Sequence, residues 1–394
     1  MREENNIVCR YSKKCGACRM INVPYEEQLK KKQSESESLL GKFCRVGRIV
    51  GAEDSFYYRN KVHAVVERKK IKCSDGKFRY RVVAGTYKEG THDVIPIENC
   101  MIEDKVCSTV VRTVRELIES FKLKTYDEDL RTGLIRHILV RRAVATGEVM
   151  LVLVLAGNEM PGKANFVKAL RARHPEISTM IININKQKTN MVLGEHNHIV
   201  FGKGYITDIL CGNKFRISPD SFYQINPVQT EKLYRKAIGF AEFKGNETVI
   251  DAYCGIGTIG ITAASKVKKV IGIELNKNAV RDARINSSAN GIKNIDLICD
   301  DATRFMQKMA AKGERADVVI LDPPRAGTTY EFICAVSAVG ARKVVYISCN
   351  PETQARDLKM FKKKGYDVKK IQPVDMFPHT GHVETVVLMS KKDT

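Results

Sequence analysis

The rhythm of apolar and polar positions changes near Gly245. Upstream of it, short strand-like alternations are broken by turn residues, and downstream short apolar runs take turns with stretches of helical period. Residues 25–37 are polar, Lys-rich and helix-compatible. Between Cys44 and Ala84 the stretches 45–50, 61–67 and 79–83 read as strands, with Ser74-Asp75-Gly76 as a tight turn. Residues 105–121 have helical period. The runs 134–144 and 148–155, parted by Thr146-Gly147, predict a β-hairpin whose first strand carries Arg136, His137, Arg141 and Arg142. A helix over 164–173, a strand over 179–185, a polar turn over 186–190 and a helix over 228–240 follow.

The second half is the more regular. An apolar strand over 248–254 leads into Gly255-Ile256-Gly257-Thr258-Ile259-Gly260, which opens a helix. The next strand, 269–273, ends in Glu274, and 295–298 ends in Asp300-Asp301-Ala302. The strand 317–321 ends in Asp322-Pro323-Pro324-Arg325. A fifth, Val345-Tyr346-Ile347-Ser348, ends in Cys349-Asn350-Pro351, and 368–374 and 383–389 complete the set. Such alternation predicts a doubly wound α/β domain, whose ligands bind at the carboxyl ends of the strands.

Composition sharpens this picture. At 394 residues the chain exceeds one ordinary core, so two or three domains are expected. The formal charge of +21 calls for a polyanionic partner, nucleic acid first. No apolar run is as long as a membrane span, and Met1-Arg2-Glu3-Glu4-Asn5-Asn6 lacks a signal-like apolar region, so a cytoplasmic location is expected. In a reducing compartment the 12 cysteines point to metal or catalysis rather than disulfides.

Three groups of residues are candidates for chemistry. Cys349, at a strand's carboxyl end, is placed to act as a nucleophile, although a free Cys elsewhere packs as a small hydrophobe. Cys9, Cys15 and Cys18, spaced C-x5-C-x2-C, can converge on one soft centre, iron–sulfur or zinc. Cys100 and Cys107 are the nearest donors for a fourth ligand, and spacing does not choose between them. Third, Tyr57-Tyr58-Arg59-Asn60-Lys61 could stack on bases or form an ordinary amphipathic strand edge. His137 is assigned no chemistry. The glycine loop with Glu274 would serve NAD or S-adenosylmethionine equally. Asp301, within reach of an adenine amino group, Asp322 beside the reacting centre, and a final antiparallel strand favour the methyl donor.

With these residues in hand, the chain resembles the RNA uracil-5-methyltransferase family, whose bacterial members act on 23S rRNA or on the tRNA T-loop. Ser348-Cys349-Asn350-Pro351, Asp322-Pro323-Pro324-Arg325, Phe222-Tyr223-Gln224-Ile225-Asn226 and His382-Val383-Glu384-Thr385-Val386 carry the likeness, which runs from Cys9 to Met389. It implies a Rossmann-like class I methyltransferase domain over 216–394. A β-rich α+β RNA-binding domain over 43–215 and an iron–sulfur region over 1–42 and 85–107 precede it. Cys349 is then the nucleophile at uracil C6 and Glu384 the base at C5. Gln224, Tyr253, Gly255, Gly257, Thr258, Glu274, Asp301 and Asp322 are expected around S-adenosylmethionine, and Gln224, Asp322 and Arg136 at the flipped uridine. The family's rRNA members hold a [4Fe–4S] cluster, here through Cys9, Cys15, Cys18 and Cys100. The tRNA members generally lack the triad, so 23S rRNA is the expected substrate. Many rRNA members open with an OB-like module, for which there is no room before Cys9, so RNA binding is expected to rest on the cluster region and the central domain. A monomer is expected, with no DNA or membrane partner. tRNA T-loop methylation, cytosine-5 methylation and a non-catalytic RNA-binding role are the competing readings.

Overall fold

The computed structural model describes residues 9–188 and 191–392. The polar start read for a signal segment (1–6) and the end of the turn expected at 186–190 lie outside them. Two compact units emerge. One joins Asp54–Asp208 to the described residues up to Asn22; the other joins Val23–Glu53 to the chain from Ile209 onward.

The first unit is built on seven strands: β1 (Lys61–Lys72), β2 (Phe78–Tyr87), β3 (Val94–Pro96), β4 (Ile135–Arg142), β5 (Val149–Leu155), β6 (Ile177–Ile184) and β7 (His196–Phe201). Their order in the sheet is β3-β2-β1-β4-β5-β6-β7. Only β5 and β6 pair in parallel, joined through the helix Lys163–Arg173, as a parallel pair requires. That helix and Lys105–Ser120 bury Val110, Val114, Ile118, Phe166 and Leu170 against Ile138, Val140, Leu151 and Leu153. The helix Lys105–Ser120 starts where Asp104 accepts hydrogen bonds from the Val106 and Cys107 amides, an N-cap contributing about 1 kcal/mol.

A two-stranded ribbon, β8 (Ile206–Leu210) and β9 (Asn213–Ile217), precedes the second large sheet. This comprises β10 (Thr248–Ala252), β11 (Lys269–Glu274), β12 (Ile295–Cys299), β13 (Val318–Leu321), β14 (Lys343–Ser348), β15 (Tyr366–Val374) and β16 (Glu384–Lys391). The order is β12-β11-β10-β13-β14-β16-β15, with β16 antiparallel to both neighbours. The order reverses between β10 and β13, and a crevice opens outside the strand ends at such a point.

The division of the chain departs from the expected 1–42, 43–215 and 216–394. The helix Tyr25–Leu40 packs with the second sheet, not with the cysteine segment. Its Lys32 Nζ lies 2.7 Å from Asp375 Oδ1, both side chains fully buried, and Tyr25 donates to the other carboxylate oxygen at 2.8 Å. Breaking one partner of such a pair costs about 3–5 kcal/mol. The expected strand over 45–50 is reduced to isolated bridges, Val46 to Ile371 and Val50 to Val374. In β1 and β2, pairing continues beyond the expected stretches to Lys72 and Tyr87.

Candidate active site

Local sequence explains how the crevice is shaped. After β10, Tyr253 adopts φ +64° and Gly255 and Gly257 adopt +55° and +84°, so the chain turns sharply before the helix Thr258–Ala264. Gly260 is required for a different reason: a Cβ there would stand 2.9 Å from Asp251 Oδ2, which accepts the Gly260 amide at 2.7 Å. The Glu274 carboxylate, at the end of β11, accepts from Gly255 N at 3.1 Å and Asn276 N at 2.8 Å. Loop and acid are thereby fixed to each other. Asp301 caps the helix Ala302–Ala311 through one oxygen, which accepts Arg304 N at 2.9 Å. Thr258 Oγ1 meets Tyr234 OH at 3.2 Å, and Tyr253 OH meets Thr328 Oγ1 at 3.3 Å.

The neighbouring strand ends hold the reactive groups. Ser348 of β14 pairs with Thr385 of β16, so Cys349 and Glu384, one step further on each chain, stand side by side at the sheet's edge. Glu384 is 2% exposed, and among the described residues its Oε2 is buried with no hydrogen-bond partner. Burial, reinforced by Asp322, pushes the Glu384 carboxyl well above the usual carboxylate range. Asp322 keeps some solvent contact but is densely surrounded by protein, and burial pushes it up to about 7. The half-buried Cys349 thiol is pushed up to about 11, first by burial, then by Glu384 and Asp322, while Arg325 pulls the other way. Arg325 Nη2 also lies 3.0 Å from His382 Nδ1.

The loop before the helix Pro227–Ala241 closes this set. Asn226 caps the helix by accepting Gln229 N and donates to Met376 O at 3.0 Å. Gln224 is 7% exposed, whereas Phe222 stands 69% exposed. Sequence reasoning missed Tyr234, whose buried phenol neighbours Asp322, Asp251 and Glu384 and is pushed far above the usual tyrosine range by burial. On an amphipathic helix it reads as core. Asp251, raised to about 7 by burial, was missed as well.

The cysteine segment belongs to the first unit. A single turn of helix, Ser12–Cys15, ends at Gly16 with φ +68° and brings Cys9, Cys15 and Cys18 round one cavity of about 210 Å³, where Cys100 joins them. Burial and the neighbouring Cys15 and Cys9 push the Cys18 thiol up to about 11; burial and Glu103 push Cys100 up to about 12. Cys107 points elsewhere, fully buried in the helix-and-sheet core with Sγ 3.6 Å from Asn60 O. Among the described residues no three Cys, His, Asp or Glu side chains converge closely enough to hold a single metal ion. Tyr57, in the aromatic and cationic stretch, is 41% exposed and lies under Lys105 Nζ at 4.3 Å.

Arg136 does not present a free guanidinium. It is 3% exposed, pairs with Glu128 at 2.7 Å through Nη2, and donates through Nη1 to Asn185 O at 3.1 Å and Gln187 O at 3.0 Å. Its charge is spent inside the first unit. His137, assigned no chemistry, is buried with its ring 4.8 Å from that of His63.

The profile of the tRNA (uracil-5-)-methyltransferase family matches residues 175–392. The chain belongs to the RNA uracil-5-methyltransferase family. A relative from Caldanaerobacter subterraneus subsp. tengcongensis, described as an uncharacterized RNA methyltransferase, is 40% identical over 390 residues, covering 98% of this chain and 84% of the relative. One of the same description from Bacillus cereus is 37% identical over 388 residues, covering 97% and 82%. Among solved structures, the Pyrococcus abyssi tRNA (uracil-54, C5)-methyltransferase in complex with S-adenosyl-L-homocysteine superposes with a TM-score of 0.76 at 26% identity, covering 94% of this chain and 85% of that one. The chain is an RNA (uracil-5-)-methyltransferase. Among the described residues no helix is long and apolar enough to cross a membrane.

Proposed function

We propose that the chain methylates C5 of a uridine in 23S rRNA, with Cys349 as nucleophile and Glu384 as base. The observation that carries the reading is the pairing of a half-buried thiol with a buried, unpartnered carboxylate at adjacent strand ends. The residues also suit S-adenosylmethionine. In this reading Glu274, fixed beside the glycine loop, takes the ribose hydroxyls, Asp301 offers its other oxygen to the adenine amino group, and Gln224, Tyr253, Gly255, Gly257, Thr258 and Asp322 are the further cofactor contacts. When bound, its sulfonium supplies the methyl electrophile.

The Cys349 thiol gives its proton to solvent, and the resulting thiolate adds to uracil C6, pushing electrons through C5 to the C4 carbonyl oxygen as an enolate. The enolate restores C4=O as C5 takes the methyl group. Glu384 then removes the C5 proton, the electrons form C5=C6, and the Cys349 sulfur leaves. Gln224 and Asp322 read the uracil edge once the base is out of its stack. Arg136, its donors engaged within the fold, is not part of the proposal.

We further propose a [4Fe–4S] cluster on Cys9, Cys15, Cys18 and Cys100. Four soft donors lining one cavity with room for several atoms fit that group, and thiols crowded against one another gain from a cationic centre. Bound there, it would tie the 9–18 segment to the chain around Cys100. The cysteine set favours rRNA, whereas the likeness to the Pyrococcus abyssi enzyme favours a tRNA uridine as second reading. Labelled S-adenosylmethionine and undermodified total RNA, followed by separation of 23S rRNA from tRNA, decide between them. Label in 23S rRNA supports the reading, label in tRNA alone reassigns the substrate, and label in neither rejects both.

A further inference from the structure

On β2, residues 82–85 are buried and 78–81 are exposed; on β1, Ala64, Val65 and Val66 are buried, and from residue 67 half-buried and exposed positions alternate. Val66 and Val82 belong to the helix-and-sheet core, but Phe78 and Tyr80, four and two residues from Val82 in the same row, are each 62% exposed. Successive side chains alternate between faces, so these rings continue the row that the helix Lys105–Ser120 covers further along. Large aromatic rings side by side on a projecting two-stranded ribbon are a liability unless something binds them.

The ribbon's charge indicates the kind of partner. Residues 67–81 carry Arg68, Lys69, Lys70, Lys72, Lys77, Arg79 and Arg81 against Glu67 and Asp75. Arg79 pairs with Asp75 at 2.5 Å, Arg81 with Glu119 at 3.1 Å, and Lys69 with Asp93. Arg68, Lys70, Lys72 and Lys77 enter none of the described ion pairs. Two of these lie over the rings themselves: Lys70 Nζ is 5.7 Å from the Phe78 centroid and Arg68 Cζ 5.8 Å from that of Tyr80. Cross-strand register places Lys72 opposite Phe78 and Lys70 opposite Tyr80. Each ring therefore has a cation at its face or flank, the combination that stacks a base while holding its phosphate.

We propose that this ribbon, β1 from Glu67 and β2 as far as Arg81, is a docking surface for single-stranded RNA. The inference rests on the RNA-methylating reading and adds a second contact to it. A single strand fits better than a duplex, because two residues along a strand set the rings roughly 7 Å apart, suited to splayed bases. The deep, narrow major groove of A-form RNA does not admit side chains of this kind. The cations without acidic partners supply the charge complement to the phosphates.

The test compares the full-length wild type with Phe78→Ala/Tyr80→Ala and Phe78→Trp/Tyr80→Trp. Equal melting temperatures confirm that all three are folded, as exposed positions should allow. Binding is read with a labelled 20-nucleotide single strand of mixed sequence and with its duplex. The alanine pair should weaken single-strand binding about 10-fold or more, leave duplex binding unchanged, and raise KM for undermodified RNA with kcat retained. The tryptophan pair should restore binding. Equal loss on single strand and duplex, or no loss on either, overturns the assignment. So does a loss confined to vesicles of phosphatidylglycerol, which would make the ribbon a membrane contact. A wild type that binds the single strand through Phe78 and Tyr80 yet methylates no RNA would instead sink the catalytic reading and leave the ribbon standing.

Discussion

Two cysteine centres in this molecule use the same functional group under opposite constraints. Cys349 is a lone thiol at the end of a rigid strand, and its neighbours are acids, Glu384 and Asp322, with Arg325 as counterweight. Cys9, Cys15, Cys18 and Cys100 face a common cavity, and at Cys18 the groups that raise the thiol after burial are other thiols. At Cys349, Cys18 and Cys100 alike, burial is the first cause that pushes the thiol up. The release differs: a single thiol beside a buried carboxylate suits covalent chemistry, and a ring of thiols suits a shared cation. In the proposed roles, environment rather than residue type separates a nucleophile from a ligand.

Removing each sulfur should break the comparison in a different way. Cys349→Ala should lower methyl transfer by about 10,000-fold or more while leaving iron content as in the wild type, measured by label incorporation and elemental analysis. Substantial residual turnover would show that the thiol is not the nucleophile. The pH response of the thiol itself is the next largest effect. Because burial and two acids hold Cys349 near 11, its alkylation by iodoacetamide, followed by mass spectrometry, should rise about 1,000-fold between pH 7 and pH 10. Asp322→Asn removes one raising charge and should speed the reaction at pH 8. A flat profile would place Cys349 in a less acidic setting than the geometry gives.

The cysteine cavity should respond to position rather than to cysteine count. Cys100→Ser should reduce iron and acid-labile sulfide from about four each per chain to a small fraction. Cys107→Ala, altering a sulfur in the apolar core, should keep both and cost only stability. Equal iron loss from the two variants would erase the distinction between cavity and core.

A smaller effect concerns Asp251. Its carboxyl is raised to about 7 in the fold from a value near 3.8, so the fold favours the neutral form. The stability this contributes is complete below about pH 4 and is lost as pH rises through about 7. Asp251→Asn stays neutral, so its melting temperature should gain about 2–4 °C on the wild type between pH 6 and pH 8.5. A constant gap across that range would contradict the burial argument.

The second sheet was legible because its information is local. Each apolar run carries its own reactive strand end, so Glu274, Asp301, Asp322 and Cys349 could be placed from period and punctuation alone. Glu384 needed the family likeness, since by itself it reads as a surface acid at the start of an apolar strand. What escaped depends on distant partners. The helix Tyr25–Leu40 is tied to the second unit by a buried ion pair between residues 343 positions apart, which no window of sequence reveals. Spacing could not rank Cys100 over Cys107; the Asp104 cap does, by starting a helix that turns Cys107 into the core. Arg136 looked like an RNA contact on a basic strand, but Glu128, eight residues earlier, had already engaged it.

The most direct measurement of the central claim is to incubate the wild type with S-adenosylmethionine and a substrate RNA containing 5-fluorouridine, then map any protein–RNA adduct by mass spectrometry. Fluorine at C5 cannot leave as a proton to Glu384, so methyl transfer should end in a stable adduct on the peptide carrying Cys349, absent in Cys349→Ala. Methylation of ordinary uridine without such an adduct, or an adduct on another cysteine, would contradict the mechanism.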